Sequence, residues 1–102
     1  MPLRRLRDKT TKEVLWLYIL RLLKEKELYA YEIKPLLRER FGISPALVTP
    51  YVVLYRLESG GYVEARRSDN KKYYRITEKG EKLLEEGIEY LRSLIEKLEV
   101  QR

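Results

Sequence analysis

Residues 49–77 read TPYVVLYRLESGGYVEARRSDNKKYYRIT, and the punctuation of this stretch sets the architecture. Proline suits the first turn of a helix, where its missing N–H is not needed, and paired glycines end one. Pro50 and Gly60-Gly61 therefore predict a helix over about 50–59. On its projection Pro50, Leu54 and Leu57 point inward with Val53 beside them, which leaves Tyr51, Val52, Tyr55 and Arg56 outside. After the glycines, Tyr62 to Arg67 and Lys71 to Ile76 are two β-prone runs around the turn-forming triplet Ser68-Asp69-Asn70, which reads as a β-hairpin. Its turn half carries Arg66, Arg67, Lys71 and Lys72, with Arg75 further down the second strand. A lone hairpin is marginal in water, so one face must lie on helices, and the period of two puts Tyr74 and Ile76 on one face.

Upstream, Val14, Leu15, Tyr18, Ile19, Leu22 and Leu23 recur at helical spacing and predict a first helix over about 11–25. Tyr29 to Arg40 repeats the pattern as a second helix, and Gly42 stands where a helix ends left-handed. Pro35 inside it would cost about 3 kcal/mol in a free helix, so a late start or a kink is expected. Ser44-Pro45 and Thr49-Pro50 each read as N-cap and first helical position, with Thr49 separating a short turn from the third helix. Downstream, Thr77 caps a final helix over about 78–99, in which Leu84, Ile88, Leu91, Ile95 and Leu98 form a heptad seam. Twenty-two residues rise about 33 Å, longer than a body of this size covers, so part of the seam is expected to meet another chain. The other reading packs all five on the first helix of the same subunit. Gly87 is expected to mark a close helix crossing. The expected fold is mainly α with a small β-hairpin (α+β): a basic N-terminal arm over 1–10, a body over 11–77 and the long helix over 78–102.

Composition narrows the chemistry. The chain has 102 residues, 44% hydrophobic and 37% charged, which suits one folded domain. It contains no Cys and no His, which removes disulfides, zinc fingers, cysteine nucleophiles and Ser-His-Asp triads, so neither enzyme activity nor a cofactor or metal is expected. The longest apolar run, Val14 to Leu20, is far short of the roughly 20 residues that span a bilayer. Arg4, Arg5 and Arg7 precede it, but Glu13, Arg21 and Lys24 bracket it, so it is not a signal peptide and a cytoplasmic location is expected. The net charge of +6 is uneven: residues 1–80 carry 18 Lys+Arg against 10 Asp+Glu, and residues 81–102 carry 4 against 6. A basic body fits a polyanion, whose condensed counterions are released on binding.

Three helices followed by a basic hairpin is the order of a winged helix-turn-helix. A major groove about 12 Å wide admits a helix, and the hairpin beside it extends its charged tip to the flanking backbone. Double-stranded DNA is thus the expected partner, contacted by Thr49, Tyr51, Val52, Tyr55 and Arg56 of the third helix and by Arg66, Arg67, Lys71, Lys72 and Arg75 of the wing. The chain also resembles the PadR-like family of transcriptional regulators. Leu28-Tyr29-Ala30-Tyr31-Glu32-Ile33 is similar to that family's entry to its second helix, and Thr49-Pro50-Tyr51-Val52-Val53-Leu54-Tyr55-Arg56-Leu57-Glu58 followed by Gly61 is similar to its recognition helix. Lys72-Tyr73-Tyr74-Arg75-Ile76-Thr77 with Gly80 is similar to its wing. Pro50 stands where the family has a leucine, and the hairpin is short.

The resemblance implies that Tyr51 and Tyr55 lie on the DNA face, that Lys72 belongs to the wing, and that the final helix dimerises by packing on the partner's first helix. Trp16, Leu84, Ile88, Leu91, Ile95 and Leu98 are the expected dimer residues. Some relatives sandwich flat aromatic compounds at that interface. Here Trp16 is expected in core or interface, and no effector is assigned. The expected function is a homodimeric, sequence-specific regulator, a repressor acting on an inverted repeat. Two alternatives are a winged-helix protein-interaction module, which would bind no duplex, and a low-specificity chromatin coat, which would bind unrelated duplexes equally.

Overall fold

A computed structural model describes residues 1–100. In chain order its elements are α1 (Pro2–Lys9), a single 3-10 turn (Lys12–Val14), α2 (Leu15–Glu25), β1 (Leu28–Tyr29), α3 (Ala30–Phe41), α4 (Thr49–Ser59), β2 (Val63–Ser68), β3 (Lys71–Ile76) and α5 (Glu78–Glu99). Four helices, α1 to α4, precede the β2-β3 hairpin, with β1 between α2 and α3; the strands form an antiparallel sheet of order β1-β3-β2, and α5 follows it. Of the segment expected to dimerise, residues 101 and 102 lie outside the described residues.

Helix α2 is the axle. Leu15, Ile19, Leu20, Leu22 and Leu23 are all buried on it, at the three-and-four spacing that wraps an apolar stripe around one side. Around them close Ile33 and Leu37 of α3, Leu54 and Leu57 of α4, Leu28, Val63 and Tyr74 of the sheet, and Leu84 of α5. The first expected helix thus starts at Leu15, after a 3-10 turn, and the basic arm before it is itself helical over Pro2–Lys9.

Helix α3 opens where Glu32 turns its carboxylate back to accept the Tyr29 N–H (3.0 Å). It closes at Gly42, whose φ of 69° is open to glycine without a Cβ penalty. Pro35 sits well inside this helix, so the late start is not what happens. The Tyr31 carbonyl loses its usual donor there, and burial of Ile33 and Leu37 on either side outweighs that loss. Two further expectations are corrected at the next turn. Ser44-Pro45 opens no helix, and Thr49 is the first residue of α4 with Val48 at the N-cap, so the Thr49 hydroxyl caps nothing. The inward and outward faces of α4 are as the projection gives them: Pro50, Leu54 and Leu57 buried, Tyr51, Val52, Tyr55 and Arg56 exposed.

The hairpin turn is two residues, not three. Asp69 and Asn70 both take positive φ (52° and 62°), the mirror-image turn that matches strand twist, and Ser68 pairs directly with Lys71. The short third strand was not anticipated; it pairs Leu28 with Tyr74 and Tyr29 with Tyr73. At the far end of β3 a compact joint fixes the start of α5. Thr77 accepts the Gly80 N–H (3.1 Å) as the expected N-cap, donates its hydroxyl to the Gly61 carbonyl (2.7 Å) and its N–H to the Tyr62 carbonyl (3.1 Å). Gly80 passes so close that an added Cβ would lie 2.0 Å from the Tyr62 carbonyl oxygen. Farther along, Gly87 lets α5 cross α2, where a Cβ would meet Leu17 at 2.9 Å and Trp16 at 3.2 Å.

Candidate nucleic-acid interface

The exposed crest of α4 carries Tyr51, Val52 and Tyr55, the last 69% exposed. It is extended at its start by Leu47 and Val48, both above 60% exposed. Sequence reading passed over these two because they lie in the turn, and their apolar character gave no sign of a surface role. Thr49 is half-buried at the edge of this crest. Arg56 is exposed but leans to the other flank, where with Lys12, Glu13, Trp16, Tyr62 and Leu83 it rims a shallow cleft of about 550 Å³.

Strand geometry divides the wing cations, which the sequence reading treated as one group. Alternation places Arg67 and Lys72, a register pair, on the sheet face that continues from Val63, Ala65, Tyr74 and Ile76, that is, on the helix side. Lys72 reaches α4 itself, its Nζ 3.3 Å from Glu58 Oε1. The Tyr74 phenol first, and Glu58 second, hold the Lys72 ammonium above its ordinary pKa, so it stays charged. Among the described residues Arg67 has no ion-pair or hydrogen-bond partner.

Arg66, Lys71 and Arg75 occupy the opposite face. Arg66 makes a two-pronged pair with Glu27 (2.7 and 2.8 Å) and lies 4.9 Å from the Tyr73 ring centre. Arg75 donates twice to Glu64 Oε1 (2.7 and 3.0 Å). Lys71 sits 4.5 Å above the Tyr29 ring. Two of these cations are therefore neutralised by carboxylates within the chain.

The hydrogen bond from Arg66 also holds the Glu27 carboxyl below its ordinary pKa, ahead of the opposing effect of desolvation. The sign follows from linkage. A depressed carboxylate contributes stability that is complete above its unfolded pKa and is lost as pH falls through the folded value. In a carboxyl-detected NMR titration, Arg66→Ala is expected to move Glu27 upward toward an ordinary glutamate. A midpoint unchanged by the substitution would show that the pair does not form in solution.

On α5, Leu84 is 1% exposed and belongs to the core of its own subunit, so the seam open to another chain begins one step later. Ile88, Leu91, Ile95 and Leu98 are exposed, and Leu94 beside them widens the stripe. Trp16 is half-buried against the crossing at Gly87. Among the described residues no group of His, Cys, Asp and Glu is placed to hold a metal, and no helix is long and apolar enough to cross a membrane.

The profile described as "Transcriptional regulator PadR-like family" matches residues 19–86. A transcriptional regulator from Clostridium thermocellum is 31% identical over 81% of this chain and 86% of its own, with a TM-score of 0.74. A PadR family transcription regulator from Clostridium difficile is 32% identical over 81% and 91%, with a TM-score of 0.70. Bacillus subtilis PadR, solved in complex with operator DNA, is 29% identical with a TM-score of 0.66; 74% of this chain matches 46% of that one. No curated protein matches.

Proposed function

We propose, from the premise that this chain belongs to the PadR-like family of transcriptional regulators, that it binds duplex DNA as a homodimer and represses by occluding a promoter. One observation carries the DNA-binding part: the Lys72 to Glu58 contact, which ties the wing to α4 so that Arg67 and Lys72 stand on the same side as the helices. A helix crest of suitable width with fixed positive charge beside it is what a groove and its flanking phosphates require. That Bacillus subtilis PadR is seen with operator DNA supports the same reading. The dimer rests on the uncovered stripe from Ile88 to Leu98, too apolar and too long to be left in water. Two-fold symmetry then sets paired recognition helices about 34–36 Å apart and makes the operator an inverted repeat.

Selection of bound sequences from a random duplex pool is expected to return a palindromic motif. With about 6 to 10 phosphates contacted per dimer, log affinity should fall with log salt at a slope of about −5 to −9. A slope near zero would overturn the reading. The face assignments give a sharper test. Arg67→Ala should flatten the slope by about one unit per lost contact on every sequence, and Lys72→Ala by less, because Glu58 already pairs with its ammonium. Tyr51→Ala should cost more on the selected motif than on random duplex. Arg66→Ala is expected to leave the slope unchanged, because its charge is already matched by Glu27. If Arg66→Ala flattens the slope as much as Arg67→Ala does, the division of the wing into two faces is wrong.

A further inference from the structure

Carboxylates hold the wing cations with unequal firmness. Arg66 donates twice to Glu27 (2.7 and 2.8 Å) and Arg75 twice to Glu64 (2.7 and 3.0 Å), so both are fixed on the outer face. Lys72 makes a single contact with Glu58, at 3.3 Å, and the two side chains stay 39% and 37% exposed. An ion pair so open to water is weakly held, and a phosphate oxygen can compete with the carboxylate directly.

The Lys72 ammonium also has a neighbour that does not move. It lies 5.4 Å from the Tyr74 ring centre, and Tyr74 is buried in the core. Its place on the wing is therefore fixed while its anionic partner is exchangeable. Glu58, for its part, adds little to α4 itself. It stands in the last turn of that helix (Thr49–Ser59), where the helix dipole disfavours a carboxylate, and Leu57 before it takes the inward position. What Glu58 contacts is the wing.

We propose that Glu58 is a built-in competitor of DNA phosphate for Lys72: the carboxylate holds the ammonium in the free protein, and a backbone phosphate takes its place on the duplex. The inference rests on the DNA-binding reading above and deepens it. Because one anion replaces another, the exchange adds little counterion release, and the freed carboxylate is left beside a phosphate that repels it. Affinity for every duplex is thereby held below what the charge of the wing would give unopposed, and complexes on unrelated sequence are shorter-lived.

The test uses the full chain and fluorescence anisotropy on the selected motif and on random duplex across a salt series. Glu58→Gln keeps the size of the side chain and removes its charge. It is expected to steepen the slope by about two units per dimer, so that its gain in affinity over the wild type grows about four-fold with each halving of salt, on both duplexes alike. Glu64→Gln raises the net charge equally on the outer face and should leave the slope near the wild-type value. Lys72→Ala, a small change in the wild type, should flatten the slope by about one unit per lost contact in the Glu58→Gln background. Circular dichroism melting checks that these surface variants stay folded. A wild-type slope near zero would overturn the DNA-binding reading itself. With a steep wild-type slope, three results would each overturn this inference alone: Glu58→Gln fails to tighten binding, Glu64→Gln steepens the slope as much, or Lys72→Ala has the same effect in both backgrounds.

Discussion

Leu91→Asp combined with Ile95→Asp is expected to convert the protein to a single-chain species by light scattering and to lower affinity for a palindromic site by about 10² to 10⁴-fold. The first effect follows from placing two carboxylates in a stripe that a partner would desolvate, where an unpaired charge is strongly disfavoured. The second follows from linkage. In a dimer, the second half-site binds intramolecularly at an effective concentration in the millimolar range, and a monomer loses that gain. Neither residue belongs to the buried core, so helicity and the response of a single half-site to salt should persist. A variant that still sediments as a pair would place the interface elsewhere and remove the argument for an inverted repeat.

Gly80→Ala is expected to destabilise the fold by about 3 kcal/mol or more, at the upper end of overpacking costs. The melting temperature should drop by about 10 to 20 °C at fixed protein concentration. The added methyl would lie 2.0 Å from a backbone oxygen, that of Tyr62, and 2.8 Å from the Ile76 side chain. A rotamer change relieves the second contact but not the first, and Tyr62 cannot retreat without releasing the bond its carbonyl accepts from Thr77. Gly42→Ala is the control, since a Cβ there meets nothing within 4 Å and pays only for its φ of 69°, about 1 kcal/mol. Similar melting points for the two would show that the joint between β3 and α5 is looser than its hydrogen bonds imply.

What could be read ahead of the structure was whatever short periods and local chemistry encode. The inward face of α4, the glycine stop at 42 and the Thr77 cap depend on residues within a turn or two of each other, and the crossing at Gly87 is marked by the glycine itself although its partners Trp16 and Leu17 are remote. The two-residue strand Leu28–Tyr29 is too short to show alternation, and it exists because β3 offers a free edge over forty residues later. The pairing of Arg66 with Glu27 is equally remote and carries no local mark. That Lys72 and Lys71 lie on opposite faces follows from strand parity, since Lys72 shares the face of Tyr74 and Ile76, but which face lies on the helices is set by packing and not by any local mark.

A single residue, Thr77, separates the last wing strand from α5, and its three hydrogen bonds make that connection stiff. In the proposed dimer two such units, crossing along their final helices, would behave like a pair of shears, with the blades at the wings and the rivet at the seam. Over a helix about 33 Å long, opening the crossing by about 10° would part the two blades by about 6 Å, close to two base-pair steps. In that dimer operator spacing and seam packing would be one mechanical variable, and seam residues such as Leu94 would also set which half-site separations fit.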